Sequence, residues 1–209
     1  MASGIELAGD NQVSSREALV NQWTADGRVF IAHNPVVGQP ETMSATGTAI
    51  GLTAPSIRYT IPSGALVVPI HVKLAVLTVG AKDDIFGVLV SEGDSYTSGG
   101  DAVAAVTGNA VVQGDAGALR SPGVTNLHYS DTAIVEAALT NVRLLKIEES
   151  QPPATNQSWN PEYNILKGDP MVYIVGPASF LVYAVQETAA AEAEFSLSWA
   201  ELDMDLFTN

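Results

Sequence analysis

The apolar positions of this chain fall into unbroken runs and strict alternations, and almost none of them repeat with a helical period. Met171 to Val175 is one run, Gly176-Pro177-Ala178 turns the chain, and Ser179 to Val185 is a second run. The uncharged stretch Pro170 to Gln186, with Gly-Pro in its middle, reads as a buried hairpin. In the next segment Ala193, Phe195, Leu197 and Trp199 share one face while Glu194, Ser196 and Ser198 share the other, the period of two of a half-buried strand. The parity then switches, because Ala200, Leu202, Met204 and Leu206 are apolar while Glu201, Asp203 and Asp205 are not. A slip of one residue exchanges the two faces, so the switch predicts a bulge or bend near Ala200.

Regular strands begin at Ser56. Ile57, Tyr59 and Ile61 alternate with Ser56, Arg58 and Thr60, and Pro62-Ser63-Gly64 turns the chain. Val68, Ile70, Val72, Leu74 and Val76 then continue along one face of a long strand, with Pro69 on the other face. A proline lacks a ladder donor, so Pro69 predicts an edge or a bend. Ile85 to Val90, Ala102 to Val106, Ala110 to Gln113, Thr132 to Leu139 and Val142 to Ile147 are further strands, separated by Gly-, Ser- and Asp-rich loops. A helix over Ile134–Leu145, carried by Ala137, Ala138, Leu139 and Leu144, competes with the strand reading there.

The first 55 residues differ from the rest. Ser14 and Glu17 stand at capping-box spacing, and Ala18, Leu19, Val20 and Trp23 give a short helix an apolar side that Asp26-Gly27 closes. Arg28 to Ala32 reads as a short strand, and Asn34 to Ser56 as a loop or extended arm. The division predicted is an N-terminal arm with a short helix over 1–55 and a β-sandwich over 56–209. Eight to ten strands joined by turn-rich loops point to an all-β antiparallel sandwich, and the number suits a jelly roll. An immunoglobulin-like sandwich fits less well, since the Cys, Trp, Cys pattern is absent.

Composition adds constraints on partners. With 9 Lys and Arg against 23 Asp and Glu the net charge is −14, and the basic residues are scattered singly. Nucleic-acid binding needs clustered cations, so no direct nucleic-acid partner is expected. Charged residues make up only 15% of the chain and hydrophobic ones 46%. That balance suits an extracellular β-protein with a neutral surface, or a subunit that buries large faces against copies of itself. There is no cysteine, which excludes disulfides and thiolate chemistry. No signal-peptide pattern and no span long enough for a bilayer is seen, so no membrane contact is expected.

The chemical motifs are few. Phosphate-binding, dinucleotide-binding, zinc-protease, nucleophile-elbow and EF-hand signatures are all absent from the sequence. His33, His71 and His128 would form a metal site of cupin type only if they converged, and His71 alternates with Lys73 on a polar face, as a solvated histidine does. Asp83-Asp84 and Glu148-Glu149 read as solvated pairs at a turn and a strand end. Gly93-Asp94, Gly100-Asp101 and Gly114-Asp115 have the look of calcium loops but the chemistry of ordinary polar turns. Asn156-Gln157-Ser158 is a glycosylation sequon, relevant only in a secretory host. No cofactor, metal site or catalytic residue is therefore expected.

Four segments carry a resemblance. Ile61-Pro62-Ser63-Gly64-Ala65-Leu66-Val67-Val68-Pro69, Lys167-Gly168-Asp169-Pro170 before an apolar strand, and Phe195-Ser196-Leu197-Ser198-Trp199-Ala200-Glu201 are similar to jelly-roll structural proteins of bacteriophage virions. Asp26-Gly27-Arg28-Val29-Phe30-Ile31-Ala32-His33 resembles the N-terminal part of such chains. The resemblance implies a non-enzymatic virion subunit, either shell or capsid decoration. Its partners would be copies of itself, with a trimer the first expectation, and other capsid proteins. Glu6, Asp10, Arg16 and Glu17 leave the N-terminus without the basic arm of a genome-contacting shell protein, which favours an outward or bridging role.

On this reading Trp23, Leu202, Met204, Leu206 and Phe207 are the candidate subunit contacts, the second apolar set of the last strand facing away from the core. The alternative is a carbohydrate-binding β-sandwich module, whose mark would be Trp159, Tyr163 and Tyr96 converging on one exposed patch.

Overall fold

A computed structural model describes residues 9–36, 38–43, 50–76, 84–107, 122–130, 132–150, 159–186 and 191–204. One helix, α1 (Gly9–Ala25), precedes the strands. They are β1 (Val29–His33), β2 (Glu41–Met43), β3 (Ile57–Ile61), β4 (Leu66–Val76), β5 (Asp84–Glu92), β6 (Tyr96–Ser98), β7 (Asp101–Ala102) and β8 (Val106–Thr107). There follow β9 (Thr125–Tyr129), β10 (Val135–Glu136), β11 (Thr140–Ser150), β12 (Glu162–Asn164), β13 (Ile174–Val175), β14 (Ala178–Val185) and β15 (Ala191–Leu202), with a 3-10 turn at Ile165–Lys167. Among the described residues every strand pairing is antiparallel, and apart from α1 the architecture is all-β.

Two large sheets face each other. One has seven strands, in the order β12-β4-β15-β1-β8, with β13 also on β4 and β2 on β15; the other has six, in the order β11-β5-β14-β3-β9-β7. Aromatic rings tie the layers together. Phe30 stacks on Trp199 at 5.9 Å between ring centres, Trp199 on Tyr59 at 5.3 Å, and Tyr59 on Phe180 at 4.8 Å. The first two belong to the seven-stranded sheet and the last two to the six-stranded one, so the stack crosses the core. Rings of this size dominate core energetics, and offset stacking adds to what their burial contributes.

The register explains the parity switch of the last strand. Ser198 pairs with His71 while Trp199 pairs with Pro69, so Ile70 has no partner and β4 bulges there. The predicted irregularity therefore lies on the neighbouring strand, where Pro69 has no donor to lose. Because the bulge exchanges faces, Val72, Leu74 and Val76 share the face of Trp199, whereas Leu66 and Val68 share that of Ala200 and Leu202. The single continuous face expected from Val68 to Val76 is thus broken at Ile70.

Three further expectations change. Met171 to Val185 is not a hairpin: β13 joins the seven-stranded sheet and β14 the six-stranded one, so Gly176-Pro177 is a corner between layers. An apolar run carries no mark of which sheet it joins, so the sequence does not distinguish a hairpin from a corner. The competing helix over Ile134–Leu145 is absent, and that stretch contributes to β10 and β11. The N-terminal segment is not a separate arm, because β1 lies between β15 and β8 with Phe30 and Ala32 fully buried.

Helix α1 is described from Gly9, so Ser14 and Glu17 lie inside it rather than at its start. Its end is as the sequence suggests. Gly27 adopts φ 68°, and the Arg28 amide reaches back to the Trp23 carbonyl at 2.8 Å, a closure that needs a residue free of the Cβ penalty. Of the apolar side, Trp23 is buried and Val20 partly so, while Ala18 and Leu19 are exposed. Arg16 fastens the helix by donating to the carbonyls of Ile165 and Asp169, each at 3.0 Å.

Candidate functional site

The alternation of β3 marks Arg58 and Thr60 as its polar face, and the structure covers that face too. Arg58 is 0% exposed. Its Nε lies 2.7 Å from Oε1 of Glu136, itself buried on β10, as a charge contact without an aligned hydrogen bond. The same guanidinium donates to Asp94 and to the Ser179 hydroxyl, each at 3.2 Å, and sits 4.7 Å above the ring of Tyr96. Asp94 accepts further bonds from the Thr60 hydroxyl at 2.9 Å and the Tyr96 amide at 3.1 Å. The His128 ring stacks on that of Tyr96 at 4.9 Å between centres.

Burial pushes the Glu136 carboxyl above its ordinary range, and nearby Asp94 adds to this, while a Ser95 hydrogen bond and Arg58 pull it back. The cluster clamps the 93–99 loop and β10 onto the outer face of the six-stranded sheet, through charges that contact one another rather than an open cavity. Beside it Leu89, Leu181, Tyr183 and Val185 form a second small apolar cluster, with Ile50, Ile85 and Leu139 packed on it. Burial raises the pKa of Tyr183, whose hydroxyl donates to the Leu52 carbonyl at 2.8 Å.

The three histidines are not brought together. His33 is an exposed residue at the end of β1 and contacts the Asn34 carbonyl through Nδ1, while His128 lies in the other sheet. His71 is partly buried, 3.5 Å from Glu162; desolvation lowers its pKa, Lys73 and Lys167 add to that, and Glu162 opposes them. Among the described residues no group of three or more His, Asp or Glu side chains is placed to hold a metal ion. Asp94 serves the Arg58 cluster and Asp101 accepts from the Thr132 amide at 3.1 Å, while Gly114-Asp115, Asp83 and the Asn156 sequon lie outside the described residues.

The aromatic candidates for glycan binding also separate. Tyr163 is fully buried, Trp159 packs on the core and bridges to Val76, and Tyr96, on β6, which pairs with β10, lies over Arg58 and His128 of the six-stranded sheet. Of the proposed subunit contacts, Trp23 and Leu202 are 8% and 6% exposed and Met204 packs against the same core. Leu206 and Phe207 lie outside the described residues. Within β15 Ala200 and Leu202 lie on the face opposite Leu197 and Trp199, but both are buried within this chain, and α1 packs against β1 and β15.

The apolar surface that is exposed lies elsewhere, and sequence reasoning missed it. Val142, Leu144 and Ile147 on β11, and Tyr173 and Val175 beside it, are all exposed. Strand β11 is the outer edge of the six-stranded sheet. Between its start and the 172–178 segment runs an open groove of about 710 Å³, lined by Val142, Tyr173 and Val175 with Glu92 and Arg143 among its polar groups. The available signal was the broken alternation Val142, Leu144, Leu145, Ile147, which puts more apolar residues on one strand than a single buried face needs.

No family model, no curated protein and no solved structure matches this chain.

Proposed function

We propose that this chain is a non-enzymatic, self-assembling structural subunit of a bacteriophage particle, a shell or capsid-decoration protein built on a jelly-roll sandwich. The observation that carries the reading is the concentration of exposed apolar side chains along β11 and the neighbouring Tyr173 and Val175, since surfaces of this kind mark contacts with other chains. The strand order agrees with it. The late strand β14 lies between β3 and β5, and β15 between β1 and β4, as the long return connections of Greek keys produce.

The charge deficit has the same sense, because subunit interfaces are depleted in Asp, Glu and Lys. The expected location is the capsid, with other copies of the chain and other capsid proteins as partners, and three-fold association as the first form to test. Quantitative gel or mass-spectrometric counting of this chain in purified particles should give a copy number that matches a capsid lattice. A chain that stays monomeric at micromolar concentration and binds no capsid overturns the reading.

A further inference from the structure

The edge strand β11 is self-complementary, and we propose that it forms a two-fold contact with the β11 of a second copy, the two running antiparallel so that the six-stranded sheets join into one. The inference rests on the self-assembly reading above and adds the register. Along β11, Arg143, Lys146 and Glu148 pair with Val90, Val88 and Phe86 and share their inward face, while Leu144, Ile147 and Glu149 pair with Leu89, Gly87 and Ile85 and share the outward one. Leu145 is the extra residue of a bulge and packs inward against the core.

Place a two-fold axis between residues 145 and 146. Leu144 then meets the partner subunit's Ile147, outward against outward, and Arg143 meets the partner's Glu148, inward against inward. Each pairing occurs twice because a two-fold interface is isologous. Directly opposed apolar and opposite-charge pairs are the units that stabilise such ladders. Leu144 is 54% exposed and Ile147 49%, so both have surface to bury.

The same geometry excludes the neighbouring registers. A shift of one or two residues either way sets at least one outward side chain against an inward one, and one of those shifts also puts Arg143 against the partner's Lys146. The bulge at Leu145 is what makes the proposed register consistent, since without it Leu144 and Ile147 would lie on opposite faces. Lys146 at the axis does not oppose closure, as its charge is matched by Asp169 at 2.9 Å within its own chain.

The test is a charge swap read by light scattering after size-exclusion chromatography, with circular dichroism to show that each variant is folded. The wild-type chain should run as a dimer at micromolar concentration, because an isologous contact closes with two copies; this replaces three-fold association as the first form to test. Arg143→Glu and Glu148→Arg should each weaken association about tenfold, because both copies of an attractive pair become repulsive, and the double variant should restore it. A wild-type oligomer indifferent to both single substitutions overturns the two-fold contact and leaves self-assembly standing. A wild-type monomer that nevertheless enters particles does the same. A charge-sensitive dimer that is found in no particle upholds the contact and removes the virion reading.

Discussion

The carboxylate of Glu201 takes the indole N–H of Trp199, two residues earlier on the same strand, at 3.0 Å. It also accepts the backbone amides of Gly123 at 2.7 Å and Val124 at 3.2 Å, and so fixes the entry to β9 against the end of β15. The residue that breaks the apolar alternation of the last strand is thus a buried anchor.

Glu201→Ala leaves those donors, including a buried indole, without an acceptor. Orphaned buried groups of this kind cost about 1–3 kcal/mol each. Urea unfolding should show a loss of at least about 2 kcal/mol, with Glu201→Gln losing less because its carbonyl oxygen still accepts.

The Arg58 cluster gives a second prediction. Removing one member of a buried ion pair costs about 3–5 kcal/mol, whereas replacing both with apolar groups is often close to neutral. Arg58→Met should therefore destabilise strongly, since it leaves Glu136 and Asp94 without their shared cation. Glu136→Leu should cost less, because Asp94 remains as a partner. The double variant should be no worse than Arg58→Met alone, which denaturant titration of the four proteins would measure.

The raised pKa of Glu136 sets the sign of a pH effect. Burial makes the native protein hold this proton more tightly than the unfolded chain, whose ordinary value is 4.5. Between that value and the higher native one, the native state carries more bound proton, so stability falls as pH rises through the window. Melting temperatures of the wild type and Glu136→Gln should therefore separate across this interval, the wild type alone losing stability from this group as pH increases.

The absence of cysteine from the chain permits a clean distance test of the β11 contact. Leu144→Cys and Ile147→Cys proteins, mixed and oxidised, should give a cross-linked species of mixed composition, because directly opposed strand positions fall within disulfide reach. Either variant oxidised alone should cross-link far less.

The sequence made much of this fold legible where each residue's period decides its face. The alternation of Ala193 to Trp199, that of Ile57 to Ile61, and the Gly27 helix stop all correspond to the observed elements. Partner choice was not legible, because an apolar run carries no mark of which sheet it joins, and so β13 and β14 look like one hairpin in the sequence although they belong to different sheets. The burial of Arg58 was hidden for a related reason. Alternation identifies a polar face, but only the 93–99 loop and β10, distant in sequence, determine that the face is covered. The edge of β11 needed the same tertiary information, since exposure of Leu144 and Ile147 follows from which strand is outermost.

The position of β15 between β1 and β4 also orders events during synthesis. Residues 29–33 pair with residues 196–200, a sequence separation that makes the central ladder of the seven-stranded sheet one of the last to close, and such non-local pairing slows folding. While residues 191–202 are still inside the ribosome, β1 and β4 have emerged without the strand that joins them and present two open edges. A chaperone that shields nascent β-strands, or slow translation before residue 191, would act on that interval.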